Sequence, residues 1–189
     1  MDPRVLREGV LEGVALVLAG SGELGAAVSE RAAALGAGVA DRTVDPWGEE
    51  PAFEGAADVL VWDASAPPQG ADGVRAALDG AWLAIRPVAT AAMIDRGGGS
   101  IVLLAPRPGS AAAEAARAGL ENLARTLSVE WARHGIRPVA ILPGAATSPV
   151  EVAELTAFLA SSAGAYYSGC AFTLGAARAS RAVESSASG

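Results

Sequence analysis

The chain of 189 residues contains no lysine; all fourteen of its basic side chains are arginines. Schiff-base chemistry and the phosphate-gripping lysine of a P-loop are therefore excluded. There is a single histidine, His134, a single cysteine, Cys170, and a single asparagine, Asn122. His-rich metal sites cannot be assembled from that inventory, and no metal centre is expected. A lone cysteine also excludes an internal disulfide and fits a reducing compartment, here read as the cytoplasm. The only tyrosines are adjacent, Tyr166 and Tyr167. No apolar run reaches membrane-spanning length, because Arg86 and Asp95 interrupt the longest candidate. The N-terminal MDPRVLREGVLEG carries both signs of charge and makes a poor signal peptide. With a net charge of -7 and no basic stripe, nucleic acid is not an expected partner.

What the chain does have is small and aliphatic: half of it is hydrophobic, mostly Ala, Val and Leu. The length suits one domain with a sizeable core. One stretch organises it, VALVLAGSGELGAAVSERAAAL from Val14 to Leu35. An apolar run (Val14 to Leu18) predicts a buried strand. Gly20-Ser21-Gly22-Glu23-Leu24-Gly25 follows. Leu24, Ala27, Val28, Arg31, Ala32 and Leu35 then fall at helical spacing, with Gly36 as a stop. Strand, glycine turn and helix form the G-x-G-x-x-G fingerprint of dinucleotide binding. Gly20 permits the tight turn, Gly22 lets backbone approach a pyrophosphate, and Gly25 lets helix and strand pack closely. Free N–H groups at the helix start would face the phosphates. The same pattern also occurs as a glycine-rich turn in folds that bind nothing.

Further along, Gly38 to Val44 reads as a second strand. Asp41 lies sixteen residues past Gly25, where an acidic residue would hold ribose hydroxyls; a solvated strand-end aspartate is the other reading. Asp41 favours NAD over NADP, and Arg42 beside it blurs that preference. Residues 45–57, DPWGEEPAFEGAA, form a loop too short for a strand–helix–strand crossover. Strands are predicted over 58–62, 100–104, 136–142 and 171–174. Helices are predicted over 73–94, 111–133 and 150–161. Residues 1–9 are a lead-in and 176–189, rich in Ala and Ser, a frayed tail. Alternating strands and helices imply an α/β fold, with a doubly wound, mainly parallel sheet between two helical layers over residues 1–175. His134, before Gly135, would place a cation at a helix end. Cys170 reads as a small core residue. Asp58 and Asp63 flank one strand and read as solvated strand ends rather than a metal pair.

From Leu11 to Gly175 the chain resembles the short-chain dehydrogenases/reductases. The resemblance is carried by LEGVALVLAGSGELGAA, DVLVWDASA, GGGSIVLLAP, RAGLENLARTLSVEWARHGIRPVAILPG and EVAELTAFLASSAGAYYSGCAFTLGA. It implies a Rossmann-like fold and an NAD(P) site formed by Gly20, Ser21, Gly22, Leu24, Gly25, Asp41, Ala64, Pro143, Gly144 and Thr147. It also locates the catalytic positions. Aligned on the long helix, the family's tyrosine falls at Ala113 and its lysine at Arg117. The serine falls near Ala105 or Pro106, and the relay asparagine near Ala77. Alanine has no proton to give, and an arginine keeps the charge without a lysine's adjustable pKa. Glu23 stands at one of the family's glycine positions and could itself fill the anion site at the helix start. Trp62-Asp63-Ala64-Ser65 replaces Asn-Asn-Ala-Gly, so an indole would crowd the ribose. The loop that covers substrate is largely missing after Thr147.

Three functions are consistent with these residues. The first is a non-catalytic partner or regulatory subunit that assembles, with itself or with an active relative, through helices 73–94 and 111–133. The second is an unorthodox NAD(P)-dependent carbonyl or alcohol oxidoreductase, in which Tyr166 or Tyr167 replaces the lost acid or, alternatively, merely packs at the surface. The third is an NAD or adenine-nucleotide binding module.

Overall fold

The structure, a computed structural model, describes residues 5–20 and 22–175. Ser21, the first four residues of the lead-in and the expected tail at 176–189 lie outside the described residues. Six parallel strands form one sheet: β1 (Ala15–Gly20), β2 (Gly38–Arg42), β3 (Val59–Asp63), β4 (Gly99–Leu104), β5 (Ile136–Leu142) and β6 (Ala171–Thr173). Their order is β2-β1-β3-β4-β5-β6. The central strands β3 and β4 are buried at every residue, which is why they read as unbroken apolar runs rather than alternating ones. Helices α1 (Gly25–Ala34) and α4 (Pro149–Ala160) cover one face of the sheet. The other face is covered by α2 (Gly70–Val88) and α3 (Ala111–Glu130). The α/β doubly wound class expected from the sequence is the observed one.

Helix boundaries differ from the expected ones for local reasons. Helix α2 begins three residues earlier than predicted, where Gln69 carbonyl accepts Gly73 N–H. It contains Pro87, which cannot donate to Leu83, and just beyond it the helix loosens into a wide π turn at Ala89–Met93 before a last α turn, Ile94–Arg96. The span Gly70–Arg96 has the length and composition to cross a membrane, but 56% of its most apolar window is buried. Its buried side, Ala81, Ala84, Ile85 and Val88, packs in the core beneath the sheet. Helix α3 stops at Glu130 and gives way to a tight turn, Ala132–His134, closed by Gly135 at φ +67°. Helix α4 starts on a reciprocal cap, Ser148 with Glu151, and carries Pro149 in its first turn. It follows Thr147 almost directly.

Candidate functional site

In a sheet of this order the crevice lies beyond the carboxyl ends of β1 and β3, whose connections leave in opposite directions. Gly20 and Asp63 are register partners at that point. Gly20 has φ +105°, and a side chain there would run into the Asp63 backbone. The Asp63 side chain is 3% exposed. Its Oδ2 accepts the Gly25 N–H at 2.5 Å and its Oδ1 accepts the Ser65 N–H at 3.0 Å. Ser65 Oγ in turn accepts the Leu24 N–H at 3.1 Å. A Cβ on Gly22 would overlap both Asp63 Oδ1 and Ser65 Oγ. The turn is therefore filled from within by a carboxylate and a hydroxyl. This corrects the sequence reading of Asp63 as a solvated strand end, and it was Asp63, not Glu23, that reached the helix start. Glu23 turns away and pairs with Arg107 Nε at 2.7 Å.

Arg107, which the sequence reading did not single out, spans two loops. From the β4 end it reaches Glu23 with Nε and the Gly144 carbonyl with Nη1, at 2.9 Å. The Pro143–Gly144 turn is further held by Thr147, whose buried Oγ1 accepts the Gly144 N–H at 2.9 Å. Trp62 lines a cleft beside Gly20, Asp63 and Ala64. Its ring lies under α2, Nε1 donating to the Ala77 carbonyl at 3.0 Å, and Gly80 leaves the space it needs. Ala64, buried beyond Asp63, donates its N–H to the Leu104 carbonyl. Asp41 is exposed and lines a cleft of about 490 Å³ together with Gly20, Gly22, Gly25, Glu30 and Asp63. Asp41 thus shares the cleft with the glycine turn, in acidic company. Arg42 is committed elsewhere: it donates to the Pro51 and Ala52 carbonyls at 2.6 and 2.9 Å and lies over the Phe53 ring.

At the positions where the resemblance puts catalysis, Ala113 is buried in the first turn of α3, after the Ser110 cap. Arg117 is nearly buried. Its Nη1 donates to both the Pro106 and Pro143 carbonyls at 2.7 Å, and Glu114 stands 3.7 Å from its Nε. It thereby ties the ends of β4 and β5 together. Ala105 is buried, and Ala77 offers only its carbonyl to Trp62. No side chain at these positions carries a transferable proton other than the guanidinium, which does not give one up.

Other candidates resolve into structural roles. Asp58 accepts the Ala15 N–H and pairs with Arg96. No cluster of three or more metal-ligating side chains occurs among the described residues. Tyr166 is 92% exposed, and Tyr167 packs on Phe158 and Phe172. Cys170 is half-buried at the start of β6 rather than in the core. His134 lies in the tight turn after α3, its Nε2 3.0 Å from Arg133 Nε at the surface.

The fold makes a nucleotide cofactor plausible, but the residues present do not fit its pyrophosphate as they stand. The first two N–H groups of the α1 start are already bonded to Asp63 and Ser65. Asp41, Glu30 and Asp63 would meet any phosphate with like charge.

No family model matches the chain, and no curated protein matches it in sequence. Solved structures do. A citronellol catabolism dehydrogenase (AtuB) of Pseudomonas aeruginosa is 28% identical, with a TM-score of 0.77 over 92% of this chain and 98% of its own. A protein of Brucella melitensis named ribose-5-phosphate isomerase is 26% identical, with a TM-score of 0.75 over 89% and 93%. A candidate short-chain dehydrogenase/reductase of Burkholderia xenovorans, at 21% identity, shares the fold with a TM-score of 0.73 over 87% and 96%. A parallel six-stranded sheet, a glycine turn at its switch point and these likenesses together make the chain similar in fold to the short-chain dehydrogenases/reductases.

Proposed function

We propose that the chain is a non-catalytic, cytoplasmic member of this group, a partner or regulatory subunit that assembles through α2 and α3. The observation that carries the reading is Arg117. At the position of the family's lysine it is bound to two loop carbonyls, with an alanine where the tyrosine would stand. An acid at that point typically contributes ~10²–10⁴ in rate, and the oxyanion donor is missing as well. The outer face of α2 and α3 mixes apolar side chains with ion pairs, Arg75–Asp79 on the groove and Glu121–Arg125 farther along. Val74 and Leu78 line a groove of about 670 Å³ with Ala111, Ala112 and Ala115. Trp82, 41% exposed, stacks on Trp131 with ring centroids 6.3 Å apart. A large aromatic left half in water on a helix face suits a second copy of this chain or an active relative.

Light scattering on the purified protein tests assembly, alone and mixed with an active relative. A dimer or larger species, or a mixed complex, is expected; a strict monomer that binds no relative refutes the proposal. Turnover of a ketone or alcohol panel with NADH or NADPH, traced to this polypeptide, refutes its non-catalytic half. The nucleotide-binding reading is favoured by one observation, the placement of Asp41 beside the glycine turn. With Arg42 engaged by Pro51 and Ala52, that reading selects NAD over NADP.

A further inference from the structure

We propose that Asp63 and Ser65 act as a built-in anion for the glycine turn, so that the switch-point crevice is closed to phosphate by its own chain. The inference deepens the reading of the chain as non-catalytic and does not depend on whether it assembles. A helix start leaves N–H groups without intrahelical partners, and in a dinucleotide fold a phosphate meets them. Here the Leu24 N–H goes to Ser65 Oγ and the Gly25 N–H to Asp63 Oδ2. The carboxylate is buried and seated by a second donor, the Ser65 N–H. The glycines are needed for this internal ligand: side chains on Gly22 or Gly25 would meet Asp63 before they met anything outside. The fingerprint therefore persists with its partner supplied from β3. Glu23 leaves the turn for Arg107, so only one carboxylate sits at the helix start.

The consequence is a barrier of charge. A phosphate oxygen brought to within about 4 Å of Asp63 would be repelled by well over a factor of ten in affinity. Adenosine, which has the base and ribose but no phosphate, carries no such penalty. The two probes are adenosine and ADP-ribose, titrated calorimetrically into the full chain and into Asp63→Asn, which removes the charge and keeps an acceptor for only one of the Gly25 and Ser65 N–H groups. In the wild type ADP-ribose binds no tighter than adenosine. In Asp63→Asn the ADP-ribose affinity rises at least about tenfold while adenosine stays within about twofold. Wild-type chain that binds ADP-ribose more than tenfold tighter than adenosine overturns the inference. So does a folded Asp63→Asn that gains less than tenfold, including one that binds neither probe. If the variant does not fold, amide exchange on the ligand-free wild type decides. Leu24 and Gly25 should exchange slowly, as bonded amides do; exchange of both at the rate of an open loop overturns the proposal.

Discussion

Glu154 is the most heavily engaged carboxylate among the described residues, and removing its charge tests how the ends of the chain are held. It lies on α4 and is 6% exposed. Its Oε1 accepts the Val5 and Leu6 N–H groups, both at 2.7 Å, and Arg31 Nη2 at 3.2 Å; its Oε2 accepts Arg31 Nε at 2.7 Å. One side chain thus binds the lead-in, α1 and α4. Glu154→Gln keeps the volume and one acceptor but sets an amide N–H against the Arg31 guanidinium, a donor facing a donor. Breaking a buried ion pair by removing one partner costs ~3–5 kcal/mol. Arg31 is 17% exposed and can recover some water, so the cost falls at or just below the lower end of that range, about 2–3 kcal/mol. For a chain of this size that is a fall in Tm of roughly 5–10 °C. Burial pushes the Glu154 pKa up, but the Arg31 hydrogen bond, the Leu6 and Val5 N–H groups and the Arg31 charge together hold it below its ordinary value. The sign follows. A carboxyl whose folded pKa is depressed contributes stability that is fully present above the unfolded value, ~4.3, and is lost as pH falls through the folded value. Urea unfolding at pH 7 and at steps down to about pH 3 measures both effects. A loss below about 1 kcal/mol at pH 7, or a gap between wild type and variant that does not shrink in acid, refutes the argument.

Three further outcomes are expected. Gly22→Ala drives a methyl into Asp63 Oδ1 and Ser65 Oγ and should cost about 2 kcal/mol or more by denaturant unfolding, with part of the loss recovered when Asp63→Ala is added. Arg117→Ala leaves the Pro106 and Pro143 carbonyls without their charged donor and should cost ~2–3 kcal/mol; Arg117→Lys should fall between, because an ammonium lacks the fixed fork that serves both. Trp82→Arg places a charge on the stacked face of α2 and α3 and should reduce the mass seen by light scattering to that of a monomer while leaving the circular dichroism spectrum unchanged.

The sheet was legible because its strands are parallel and buried on both faces. Val59–Asp63 and Gly99–Leu104 declare themselves as apolar runs, and the helices between them as 3.6-residue stripes. Helix ends were less legible. Pro87 hides inside an otherwise continuous stripe, and the π turn after it depends on backbone bonds that periodicity does not encode. The site was legible in position but not in occupancy. The fingerprint gave the turn, yet which carboxylate reaches it is decided by register: Gly20 lies opposite Asp63 in the neighbouring strand, whereas Glu23, three residues away in sequence, points at Arg107. The available signal was an acidic residue ending the strand that pairs beyond β1. Arg107 could not be found at all from spacing, since its two partners come from the far ends of other strands.

The edge of the sheet beside β1 has its own logic. The usual dinucleotide fold places another strand beyond β2; here the chain leaves β2 and returns by loop to β3, on the other side of β1. Strand β2 becomes an edge, and it carries the marks of a guarded one: Asp41 and Arg42 are charged, and Arg42 pins the returning loop through the Pro51 and Ala52 carbonyls. At the crevice the described residues have no strand beyond β2, run from Thr147 almost directly into α4, and carry Ala113 and Arg117 where the resemblance puts the proton-carrying side chains. Both helical layers are present, and on α2 the side chain of Trp82 is 41% exposed. The stacked pair already gains ring packing within one chain, with Trp131 against the core; the assembly proposed above would in addition take the exposed side of Trp82 out of water, which is the contact that Trp82→Arg tests.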